Sequence, residues 1–85
     1  MASIYSNEYQ MVIKTLRDAR IQKGITQAML ARCLGRPQSF IAKIENGERR
    51  IDVVEFAHIA NLLLVDPSAV LDRIVIKKHD DKPMR

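Results

Sequence analysis

Cysteine appears once in the chain, as Cys33, so no internal disulfide can hold the fold. Packing must do that work, and a soluble protein of the reducing cytoplasm is expected. Aromatic residues make up only 5%, against 47% hydrophobic residues in all. A core made of Leu, Ile, Val and Ala suits short packed helices better than a β-sandwich. With 3 Gly and 3 Pro, the chain also lacks the turn signals that many short strands would require. No unbroken apolar run is longer than Leu62 to Val65, which is far too short to span a bilayer. Met1 to Tyr9 is polar, without the basic start and apolar stretch of a leader, so none is expected.

What is present points to one domain, because cores rarely divide below about 100 residues and this chain has 85. Lys and Arg outnumber Asp and Glu by 14 to 10, a balance compatible with a polyanionic partner but shared by many proteins. Catalysis finds little support. His58 and His79 are far apart, one cysteine and scattered carboxylates give neither metal spacing nor a nucleophile with a base, and there is no glycine-rich phosphate loop. No cofactor and no metal are expected, and the protein reads as a non-enzyme.

Hydrophobic spacing predicts five helices. The first starts at Ser6 or Asn7, where Asn7 and Gln10 have the form of a capping box, and its apolar face runs through Val12, Ile13 and Leu16 to an end near Gly24. Thr26 caps a second helix, with Leu30, Ala31 and Leu34 inside and Gly35 as its stop. A third runs from about Pro37 to Asn46 and buries Ile41 and Ile44. Asp52 and Glu55 have the spacing of a capping box for a fourth, and Asp66-Pro67 opens a short fifth. The domain is expected over residues 1–76, with 77–85 a polar, basic and frayed tail.

The informative stretch is Gly24 to Gly47. Two helices are joined by a short turn, with Ala31 where they cross, Gly35 in the turn and Ile41 in the angle between them. That is the physical recipe of a helix-turn-helix, in which the second helix offers its first side chains to base edges in the major groove.

From Leu16 to Leu71 the sequence resembles the Cro/XRE-type, lambda-repressor-like family of five-helix DNA-binding domains. The resemblance rests on Leu16-Arg17, Arg20, Gly24, Thr26-Gln27, Leu30-Ala31, Leu34-Gly35, Gln38-Ser39, Ile41, Ile44-Glu45-Asn46-Gly47 and Ile59-Ala60. It implies an all-α fold and a sequence-specific transcriptional regulator, a repressor or autoregulator, bound to double-stranded DNA. By the same resemblance Gln27 bonds to Gln38, and Gln38, Ser39 and Lys43 face the groove floor. A glutamine amide matches adenine, and a lysine matches guanine or a nearby phosphate. Thr26, Gln27, Arg36 and Asn46, with Arg49 and Arg50 after the recognition helix, are implied as phosphate contacts. Arg20 and Glu45 are implied as a structural ion pair.

Each assignment has a plainer alternative: Gln38 and Ser39 as solvated helix-start residues, Lys43 as an ordinary surface lysine, Arg49 and Arg50 as a solvated loop pair. The sequence also departs from the family pattern. Pro37 stands where a capping serine or threonine is usual, so Arg36 or a shifted start is expected to replace the cap. Leu64 stands where a glycine commonly ends helix four, and a strained positive φ leads us to expect a different ending. Phe40 lies off the apolar stripe, either against a thymine methyl or beside helix two.

A homodimer is expected, with Leu62, Leu64, Val65, Val70, Leu71, Ile74 and Ile76 as interface candidates, because they exceed what one small core needs. The rival reading is an antitoxin or adaptor that binds a protein partner, which exposed Met29, Cys33 and Phe40 would favour. A controller of a restriction–modification operon is a third, within the DNA-binding class.

Overall fold

The computed structural model describes residues 6–79, with side chains as far as Val75. Five helices follow one another: α1 (Asn7–Gln22), α2 (Gln27–Cys33), α3 (Gln38–Glu45), α4 (Val53–Leu62) and α5 (Pro67–His79). No strand occurs among the described residues, and no helix there is long and apolar enough to cross a membrane.

The starts of the helices are chosen by side-chain chemistry. Ser6 is the N-cap of α1 and accepts from the Tyr9 N–H at 3.1 Å, so Asn7 is the first helical residue and not the cap. Thr26 caps α2, accepting from Met29 N at 3.0 Å. At α4 the expected capping box is complete: Asp52 accepts from Glu55 N at 2.7 Å, and Glu55 accepts from Asp52 N at 3.0 Å. Asp66 accepts from Ser68 N at the head of α5. That helix continues to His79, beyond the boundary expected at 76.

The ends of α1 to α4 share one device. After the last helical residues, one amide reaches back five positions to a carbonyl, as in Ile25 N to Arg20 O, Arg36 N to Ala31 O, Glu48 N to Lys43 O and Val65 N to Ala60 O. This is the Schellman arrangement, and it needs a left-handed residue just before that amide. Gly35 takes the conformation at φ 69° and turns the chain sharply between α2 and α3. At the end of α4 the same place is held by Leu64, at φ 58°. The expected alternative ending does not occur. The bond from Val65 to Ala60, at 2.8 Å, closes the motif whatever the residue.

One apolar core forms at the centre. It takes Val12, Ile13 and Leu16 from α1, Leu30 and Ala31 from α2, and Phe40, Ile41 and Ile44 from α3. Phe56, Ile59 and Ala60 of α4, then Leu63 and Val70, complete it. Ala31 and Ile41 are only 1% and 2% exposed, which is how α2 and α3 approach each other closely. Tyr9 adds a polar tie, its hydroxyl accepting from Ile51 N at 3.1 Å and joining α1 to the loop before α4.

Candidate nucleic-acid interface

The site grows from a carboxylate under the recognition helix. Glu45, at the end of α3, takes Arg20 of α1 in a two-pronged pair, with Nε to Oε2 at 2.7 Å and Nη2 to Oε1 at 3.0 Å. Both side chains are largely buried, 11% and 9% exposed, so water screens the pair poorly. Arg20 also donates to the Ile25 carbonyl at 2.8 Å, which ties the end of α1 to the entry of α2. Arg17 lies 3.9 Å from the same carboxylate.

From Glu45 a chain of hydrogen bonds leads outwards. Gln27 Nε2 donates to Glu45 Oε1 at 2.8 Å, and Gln38 Nε2 donates to Gln27 Oε1 at 2.9 Å. The direction of this chain has a physical cause. A carboxylate only accepts, so Gln27 must turn its NH2 towards Glu45 and leave its carbonyl oxygen for Gln38. Gln38 therefore spends one N–H on Gln27 and keeps a second N–H and its whole carbonyl oxygen, on an exposed side chain. Ser39 and Lys43 are also exposed and lie four residues apart, on one face of α3.

The helix start is bare of side-chain caps. Pro37 occupies the N-cap at φ −71° and ψ 157° and makes no capping bond, and α3 begins at Gln38 without displacement. Neither Arg36 nor a shifted start replaces the cap. Instead Arg36 lies over the Phe40 ring, its guanidinium carbon 4.5 Å from the centroid.

Phe40 is only 6% exposed, so it is a core residue beneath Arg36 and does not present itself to a thymine methyl. Arg49 approaches the same ring at 4.6 Å. Its guanidinium grips Glu55 with two bonds, at 3.0 and 3.1 Å, and donates to the Arg50 carbonyl at 3.0 Å. Arg49 thus braces the loop against α4 with three of its five N–H donors. That grip, above all the hydrogen bond, holds the Glu55 carboxyl below its ordinary pKa, although burial opposes the shift. Arg50 is exposed and lies towards Tyr9, 5.5 Å from the ring centre. Asn46 is the exposed C-cap of α3, and Thr26 is exposed at the head of α2.

Chain similarity agrees with this geometry. The helix-turn-helix family model matches residues 16–70. The chain belongs to the XRE-type helix-turn-helix family. A solved structure described as an "XRE-family like protein from Pseudomonas syringae pv. tomato str. DC3000" is 42% identical to it. The match covers 94% of this chain and 93% of that one, with a TM-score of 0.76. No curated protein matches. Membership makes this XRE-type domain a helix-turn-helix DNA-binding regulator, of a family that is regulatory and not enzymatic. Among its described residues, no group of three or more His, Cys, Asp or Glu is placed to hold a metal.

The interface candidates divide. Val70 is 3% exposed and belongs to the core, while Val65 and Ile74 pack against it. Val70 is thus enclosed within one copy, and Val65 and Ile74 are partly so. Leu62, Leu64 and Leu71 are exposed at 37%, 82% and 43%. Ile76 lies outside the described side chains. Of the residues that favoured a protein partner, Phe40 is buried, and Met29 and Cys33 remain exposed.

Three participants were not legible in the sequence: Glu55 as the anchor of Arg49, Phe40 as a platform, and Tyr9 as a tie. Glu55 was visible only as half of a capping box.

Proposed function

We propose that this domain is a sequence-specific regulator that reads the major groove with α3, and that it represses or autoregulates by occupying its sites. The observation that carries the reading is the polarity imposed on Gln38. Its remaining N–H and its carbonyl oxygen form the donor and acceptor pair that complements adenine N7 and N6. Ser39 and Lys43 share the groove-facing surface, Lys43 towards guanine or a phosphate. Arg36, Asn46, Thr26, the spare N–H of Gln27 and the exposed Arg50 serve as positioning contacts to the backbone, together with the uncapped first amides of α3.

The domain acts as a homodimer, with two recognition helices about 34 Å apart on one side of the duplex. Leu64 supports this. A leucine in the left-handed region is strained and, at 82% exposure, gains little from its own chain. A second copy covering Leu62, Leu64 and Leu71 would supply the missing contacts.

The test is titration against a selected operator and against random DNA at several salt concentrations. Tighter operator binding and affinity that falls steeply with salt are expected. Equal affinity for both DNAs, or a flat salt dependence, would remove the proposal.

A further inference from the structure

We propose that Phe40 is a positioning residue for DNA binding: its buried ring holds the Arg36 guanidinium at the start of the recognition helix, aimed at a backbone phosphate. This deepens the DNA-binding reading and rests on it.

Two arginines lie over one ring. Arg36 and Arg49 place their guanidinium carbons 4.5 and 4.6 Å from the Phe40 centroid, within the range at which a ring face attracts a cation. They are not equivalent. Arg49 holds both oxygens of Glu55, and Glu55 Oε1 also accepts from Asp52 N. That carboxylate has little capacity left. Arg36 reaches it only at 3.8 Å, as an ion pair without a direct hydrogen bond among the described residues. Its side chain is 48% exposed. Arg36 therefore lies between a carboxylate that takes no hydrogen bond from it and a ring that consumes none of its donors.

The ring is placed by the core. Phe40 lies in the first turn of α3, is 6% exposed and packs within the apolar core. Pro37 supplies no capping bond, so no side chain accepts from the first N–H groups of the helix that follows Arg36 and Pro37. A phosphate at this corner meets a guanidinium already in position and the positive end of a helix. Without the ring, Arg36 would have to be immobilised at the moment of binding, and part of the contact would be lost to that ordering.

The experiment compares wild type, Phe40→Leu, Arg36→Ala and the double variant on operator and random DNA over about 50 to 200 mM salt. Phe40→Met, which keeps bulk without a ring, serves if Phe40→Leu melts too early. Either ring-less variant should weaken both DNAs alike, by about two- to fivefold. It should also flatten the salt dependence towards that of Arg36→Ala, and it should add no further loss once Arg36 is alanine. A merely structural role for Phe40 would leave the salt dependence unchanged and would add its loss to that of Arg36→Ala; either result overturns the proposal. Wild-type protein without salt-dependent binding would remove the parent reading as well, whereas normal wild-type binding with an unaffected Phe40 variant removes this inference alone.

Discussion

Arg20 contributes to the molecule twice, once by holding Glu45 and once by closing the α1–α2 corner on Ile25. Replacing it with alanine leaves a carboxylate largely buried without its main partner. The expected cost is about 3–5 kcal/mol in urea unfolding, and a loss below about 1 kcal/mol would mean that water screens the pair after all. Leu64 works in the opposite sense. Glycine there removes left-handed strain of about 1–2 kcal/mol at some cost in chain entropy, so Leu64→Gly should stabilise the folded monomer by about 0.5–1 kcal/mol. Thermal melting at low concentration checks this. The residue pattern foretold Arg20 with Glu45 and Gln27 with Gln38, because polar side chains at those spacings resemble a known set. It did not foretell the bond between Gln27 and Glu45 that makes the two pairs one chain, since only coordinates bring the end of α3 under the start of α2.

Among the elements, α3 is the least self-sufficient. It has eight residues, no capping side chain and a proline at its head, so it holds its shape by packing against α1 and α2. α4 begins with a full capping box, and Glu55 within it also clamps Arg49. Because the folded-state pKa of Glu55 is lowered, its contribution to stability is fully present above the ordinary carboxylate range and fades as pH falls through the lowered value. Glu55→Gln should therefore be less stable than wild type at neutral pH, and the gap should close in strong acid. Urea unfolding across that range reads it, and a gap independent of pH would contradict the assignment. Helix existence and order were legible from apolar spacing and from Ser, Thr and Asp at the starts. The ending of α4 was not. Residue preference argued against a left-handed Leu64, but the Val65 to Ala60 bond and the burial of Leu63 outweigh a local strain of that size.

For the whole molecule, the core takes more than composition suggested. Val70 is buried and Val65 and Ile74 pack partly against the core, so the proposed contact with a second copy falls to the exposed Leu62, Leu64 and Leu71. Leu64→Gly then has two opposite effects in one variant: a firmer monomer by melting and a weaker dimer by sedimentation. Monomer alone at high micromolar wild-type protein would count against the pairing.

In the proposed reading, a largely buried carboxylate acting through Gln27 sets what Gln38 offers to a base. Selecting bound sequences from random DNA with wild type, Gln38→Ala and Gln27→Ala tests it most directly. Wild type should enrich adenine at one position of each half-site. Both variants should lose that preference, at a cost of about 1–3 kcal/mol on the selected site for Gln38→Ala, while keeping the preferences elsewhere. Unchanged enrichment at every position in the two variants would contradict the claim.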